Sequence, residues 1–295
     1  MTRGFRSFHP FLLLVYYIVV IAGITLQQHP VFLSVGFILI LLTVLILNER
    51  EALKKWSKMI FFLSLFVLIL TPIFNRNGEI VVFEVFSREF YLEAIIQGLM
   101  VAITLSSILA LFTTFNSVIT SEKFLYLFSR WFPRWTIILM LALRFIPLFR
   151  KRLADIQDVQ ETKGMSIKHG IIRARARNGM FLMQILLNYS LEEAMQTADS
   201  MSARGYGLGK RSKYRFFPWK SRDTFGLVYL VIFSLIIFTG WQLDQSVLIF
   251  NSSFKPFKVE PNMSPYLIAW TLLISLPIWA EGKELMKWQL LQRKT

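Results

Sequence analysis

The chain has 295 residues, a net charge of +15, no cysteine, and 55% apolar residues at a mean hydropathy of +0.51. That apolar share exceeds what a soluble domain needs for its core, and without cysteine neither a disulfide framework nor thiolate chemistry is open to it. The positive charge lies between apolar runs, so membrane topology and anionic headgroups account for most of it, and nucleic acid is not the expected partner.

The chain begins with a short basic segment holding Arg3 and Arg6, then enters the apolar run 11–26. No small-residue cleavage site precedes Gln27, so this run is expected to remain as a first span. Gln27, Gln28, His29 and Pro30 form a turn signal, and the run 31–47 follows as the second half of a hairpin. Arg50, Lys54, Lys55 and Lys58 fill the next connection before a third run, 59–74. The connection 75–90 balances two arginines against three glutamates, and a fourth run spans 91–112.

Within the fourth run Ala94, Gly98, Ala102, Ser106 and Ala110 recur every four residues. Such a ridge of small side chains lets another helix approach closely in lipid, whether from this chain or from a separate subunit. Glu93 and Gln97, one turn apart, mark either an ion path or an interfacial start to the span. The segment 136–149 is apolar but interrupted by Arg144 and Pro147, and it is expected to be a partly embedded helix that returns to the cytoplasm. Two further runs, 225–241 and 266–280, complete about six spans. The connections alternate between rich and poor in Lys and Arg, which predicts cytoplasmic termini. The expectation is an all-α polytopic membrane protein with long amphipathic cytoplasmic helices. It divides into transmembrane helices over 1–135, a basic region over 136–222, and transmembrane helices over 223–295.

From Arg150 to Arg222 there are 15 Lys and Arg against 6 Asp and Glu, so this quarter of the chain carries +9. Two helical patterns lie within it. Phe149, Leu153, Ile156 and Val159 mark one apolar stripe, in a helix predicted to end at Thr162-Lys163-Gly164. The broadly apolar run 180–191 opens the other, and Leu191, Met195, Ala198 and Met201 continue it as a stripe to Ala203-Arg204-Gly205. Both ends place a cation in the last turn and Gly directly after it. Gly supplies the left-handed closing conformation, and the cation faces the negative end of the helix dipole. Any helix C-terminus can look so. Two such ends in one basic segment also fit docking onto partner carboxylates.

The stretch from Glu193 through Ala203-Arg204-Gly205-Tyr206 resembles the second coupling motif of the transmembrane T component of energy-coupling factor (ECF) transporters, an EcfT/CbiQ-like family. Leu143-Arg144-Phe145-Ile146-Pro147, running on to Thr162-Lys163-Gly164, resembles the region of the first motif. The resemblance covers roughly residues 135–215. It implies that two coupling helices dock into grooves of two ABC-type ATPase subunits, while the membrane part holds a small substrate-binding (S) subunit in the bilayer. Arg204 would be one docking residue, with Ala203 and Gly205 permitting close approach. Lys163, flanked by Thr162 and Gly164, would be the other, although the family pattern has Arg there. The resemblance further implies a non-enzymatic scaffold for uptake of a micronutrient, a vitamin or a metal ion, in a bacterial or archaeal cytoplasmic membrane. ATP and Mg would be bound by the ATPases, and this chain would carry no cofactor.

Other motifs are incomplete. Gly205-Tyr206-Gly207-Leu208-Gly209-Lys210-Arg211 approaches a phosphate loop but has Arg204 and Arg211 where Walker A needs Gly and Ser or Thr. His9, His29 and His169 are too scattered for a metal site. Asn251 and Asn262 head glycosylation-type triplets that arise readily by chance. Two alternatives stay open: a membrane-embedded lipid-modifying enzyme using Asp155, Asp158 and Glu161, and a channel or secondary carrier.

Overall fold

The computed structural model describes residues 4–75, 80–85, 88–129, 132–165, 171–209, 217–246 and 261–292, with the backbone alone at 83, 85, 88, 89, 133 and 283–292. It forms two compact units, residues 1–124 with 217–295, and residues 125–216.

In the first unit, helices α1 (Pro10–Leu26) and α2 (Pro30–Ile46) start alike. Each has Pro at its first position, where the missing N–H costs nothing. Each is preceded by a histidine whose Nδ1 accepts an early backbone N–H: Phe11 donates to His9 at 3.2 Å and Val31 to His29 at 3.3 Å. Two of the three histidines are thus helix caps. Helix α3 (Arg50–Phe74) joins the basic connection and the third apolar run into one rod. Strands β1 (Val81–Val85) and β2 (Arg88–Tyr91) then pair antiparallel, a hairpin that was not expected from the sequence. Helix α4 (Leu92–Val118) follows, and α8 (Ser221–Gln242) and α9 (Ser264–Gln292) complete the unit.

Among the described residues α3, α4, α8 and residues 261–282 are long and apolar enough to cross a bilayer, while α1 and α2 are apolar helices of 17 residues. All six predicted spans are therefore helices. The core gathers around Trp270, whose Nε1 donates to the Phe32 carbonyl at 3.1 Å. Gly23 of α1 and Gly36 of α2 face this ring so closely that an added Cβ would lie 2.4 Å and 3.0 Å from it. Tyr16 donates to the Ile274 carbonyl at 3.1 Å, and its ring meets Phe5 and Tyr17 edge-on. Buried aromatic groups with satisfied polar tips suit a medium that offers no water to an unpaired donor.

The ridge on α4 turns toward α3 of the same chain. A Cβ at Gly98 would meet the Leu68 carbonyl at 3.1 Å, and the Ser106 and Ser64 hydroxyls lie 2.7 Å apart. Ala94, Ala102 and Ala110 are buried along the same helix. The opposite face of α3 exposes Phe61, Phe62, Phe66 and Ile69, as expected of a surface turned to lipid. Glu93 is buried at the start of α4, where it accepts the Ile80 N–H at 3.3 Å, and Gln97 accepts from Asn75. Both side chains thus fasten the connection between α3 and α4.

The second unit contains most of α5 (Ser121–Ser129), together with α6 (Pro133–Thr162) and α7 (Ile172–Ala203). Residues 136–149 are helical as expected and lead straight into the basic stretch: they form the first half of α6, which runs through Pro147 without ending. Proline removes one hydrogen bond from a helix interior but does not forbid continuation. The stripe of α6 is adjusted at its end, since Phe149, Leu153 and Ile156 are half-buried, Val159 is exposed, and Gln160 is buried in its place.

Candidate functional site

The two helix ends singled out in the sequence close in the same way. In α6 the Gly164 N–H donates to the Glu161 carbonyl at 3.0 Å, and the Met165 N–H reaches back to the Gln160 carbonyl at 3.0 Å. In α7 the Gly205 N–H donates to Ser202 at 2.9 Å, and the Tyr206 N–H to Met201 at 3.0 Å. Each pair is a Schellman cap, with its glycine at φ of +79° (Gly164) and +76° (Gly205). Lys163 and Arg204 occupy equivalent positions, one residue before the left-handed glycine.

Thr162, Lys163, Gly164, Ala203 and Arg204 are all exposed, and Gly205 is half-exposed. Among the described residues neither Lys163 nor Arg204 enters an ion pair; those present join Arg6 to Glu49 and Lys54 to Glu51. A Cβ at Gly164 would meet nothing within 4 Å, and one at Gly205 only Leu208 at 3.6 Å. The glycines are therefore present for their backbone angle, and the space around each tip is open.

Helices α6 and α7 pack against each other, and the Arg152 guanidinium lies over the Tyr189 ring, 4.2 Å from its centre. From that contact Lys163 is about 16 Å further along α6, and Arg204 about 22 Å further along α7, at 1.5 Å per residue. A cation held over an aromatic face fixes where the two rods cross. The tips are thus carried well beyond the junction. The inward face of α7 is made by Leu182, Ile185, Leu186 and Tyr189. The predicted stripe differs, because Leu191, Met195 and Ala198 point outward and Met201 is half-buried.

The membrane unit has a second constellation that the sequence did not suggest. The starts of α1, α3, α5 and α8, the ends of α2 and α4, and the middle of α9 around Glu281 meet at one end of the bundle. There Arg6 donates to Glu49 at 2.6 Å, to Ser117 at 3.0 Å and to the Leu47 carbonyl at 3.2 Å. Ser117 also donates to Glu49. The buried Lys123 amine donates to the carbonyls of Arg6 at 2.8 Å and Val118 at 2.7 Å. Asp223 is buried and accepts the His9 N–H at 3.1 Å and the Lys220 N–H at 2.9 Å, and Glu281 accepts the Phe5 N–H at 3.0 Å. Burial lowers the His9 imidazole against the raising pull of Asp223. Burial, with the Arg6 cation beside it, brings the Lys123 amine down to about 8.

Among the described residues no three His, Asp or Glu side chains come together to hold a metal ion, and Asp155, Asp158 and Glu161 form no such cluster. His169, Lys210, Arg211 and Asn251 lie outside the described residues.

The model of the CbiQ family, described as a cobalt transport protein, matches residues 6–214. The chain belongs to the CbiQ family, the T components of ECF transporters. It is similar to the energy-coupling factor transporter transmembrane protein EcfT of three bacteria. That of Exiguobacterium sibiricum is 31% identical over 189 residues, covering 60% of this chain and 71% of its own. Those of Staphylococcus aureus and Bacillus subtilis are 28% and 27% identical over 190 and 197 residues, covering 61% and 63% of this chain and 70% and 74% of theirs. The CbiQ match takes in α1 to α7 with both capped tips, and it stops before α8. As a T component the chain is a multi-pass membrane part of a transporter. The Arg6–Glu49–Ser117 network escaped the sequence because its members stand 43 and 111 residues apart, with no local spacing to betray them.

Proposed function

We propose that this T component couples two partner ABC-type ATPases to a small membrane-embedded substrate-binding subunit, in the uptake of a micronutrient such as a vitamin or a metal ion. The reading is carried by one observation: two identically capped helix ends, each presenting an exposed, unpaired cation before a left-handed glycine. A rigid cap holds the cation at a fixed direction, so little ordering entropy is lost when a partner carboxylate binds it. Arg204 offers a planar fork for bidentate contact, while Lys163 offers a point charge. ATP is hydrolysed in the partners, and this chain transmits the motion through α6 and α7. The capped tips and both termini lie on the cytoplasmic side, in keeping with the arginines and lysines at the end of the bundle where Arg6 and Lys123 meet.

The test is Arg204→Glu in the full chain co-produced with its two ATPases. Insertion of the variant into the membrane is expected to be normal, while recovery of the ATPases with it falls about 30-fold or more. That corresponds to the roughly 2–5 kcal/mol of a broken buried charge pair. Undiminished recovery together with undiminished uptake would overturn the reading.

A further inference from the structure

We infer that the first three turns of α7 lie on anionic phospholipid headgroups, with Ile171, Ile172 and Met180 entering the interface and Arg173 and Arg177 holding lipid phosphates. Three observations lead here. First, Ile171 and Ile172 are 80% and 81% exposed and Met180 is 76% exposed, far more than a chain leaves to water at three large apolar positions close together. Second, the geometry is that of an interfacial helix. At 3.6 residues per turn, Ile172, Ala176 and Met180 fall in a sector about 80° wide, away from the inward face led by Leu182. Arg173 and Arg177, both exposed, border that sector on one side. Their long stems can lie along the apolar strip while the guanidinium groups rise to phosphate level.

Third, the counter-charge must come from outside the segment. From residue 162 to residue 191 the sequence has five Lys and Arg and no Asp or Glu. A phosphate in solution would satisfy the arginines but leave the isoleucines in water, and an apolar protein groove would do the reverse. A lipid interface supplies both within one layer. The inference rests on the chain being a membrane protein and is independent of where Arg204 docks.

The absence of native cysteine makes the test direct. A nitroxide attached to Ile172→Cys, in the full complex within nanodiscs, reports collisions with oxygen, which is enriched in lipid, and with an aqueous nickel chelate. In discs of phosphatidylcholine and phosphatidylglycerol, oxygen collisions are expected to dominate. Arg173→Gln and Arg177→Gln should each lower the membrane-resident population about fivefold, while Arg173→Lys and Arg177→Lys retain it. A melting temperature in detergent equal to that of the parent Ile172→Cys chain certifies the fold of each variant. Dominance of the nickel chelate in the anionic discs would overturn the inference. So would a label shielded from both reagents, which would place a protein there. An unchanged depth in pure phosphatidylcholine would remove the anionic headgroup from it and overturn it likewise.

Discussion

Glycine shows how differently the two units are built. In the membrane unit Gly23, Gly36, Gly98, Gly226 and Gly240 each have a neighbour within 3.1 Å of where a Cβ would stand: Trp270 for the first two, then Leu68, Leu12 and Tyr266. In the second unit Gly164, Gly179, Gly207 and Gly209 have nothing within 4 Å, and Gly205 has Leu208 alone. There Gly164, Gly205 and Gly207 adopt positive φ instead. Those five glycines bring helices together, as packing in lipid requires, while in the same unit Gly4 has positive φ and Gly282 has nothing within 4 Å. Gly164 and Gly205 instead end helices in open space. Close packing joins the membrane helices to one another, and the exposed caps present surface for another molecule.

The largest expected effect tests that contrast at its charged tips. Arg204→Glu should weaken ATPase binding more than Lys163→Glu, because only the arginine loses a bidentate fork. Equal losses in a co-purification titration would mean that net charge alone governs both sites. The membrane unit should answer in the opposite currency. Gly23→Ala puts a methyl 2.4 Å from the Trp270 ring, and such overpacking is expected to cost about 1–3 kcal/mol. That loss should appear as a lower melting temperature in detergent, with ATPase affinity intact. A smaller effect is expected from Gly205→Ala, which has room for its methyl but pays roughly 1–2 kcal/mol for a left-handed alanine. It should loosen the cap and weaken docking while leaving the melting temperature of the membrane unit in place. If Gly205→Ala melted the whole chain, the tip would be part of the packed structure and the contrast would fail.

The contrast was only partly legible beforehand. The six apolar helices follow from hydropathy, and both caps follow from a cation and Gly at the end of an amphipathic stripe. The hairpin Val81–Val85 and Arg88–Tyr91 was missed, although Val81, Val82 and Val85 are strand-favouring residues, because the glutamates around them suggested an outer loop. The helix over 136–149 was legible, but its continuation through Pro147 as one rod with the stripe that follows was not, since proline ends many helices. The outward turn of Leu191 and Met195 could not be read from their spacing, since a helical stripe says which residues share a face but not what that face meets. The Arg6–Glu49–Ser117 network was invisible for a different reason. It depends on three helix ends meeting in space, and the sequence separations carry no period.

The last expected effect concerns the polar end of the membrane unit, where packing has been completed around a charge. The Lys123 amine is buried, donates to two backbone carbonyls, and enters no ion pair among the described residues. Burial and the nearby Arg6 cation lower its pKa from 10.5 to about 8. Between those two values the unfolded chain holds a proton there that the folded chain has given up. Stability therefore rises with pH across that window, and the penalty for charging the buried amine is fully present below about pH 8. Detergent melting of the wild type against Lys123→Met, followed from pH 7.5 to 10, reads this as a difference in slope. The wild type should gain more with rising pH than the methionine variant, which keeps the length of the side chain but titrates nothing. Parallel profiles would show that water reaches the amine and solvates it as it would at a surface, and the membrane unit would then be open at the end where Lys123 is buried.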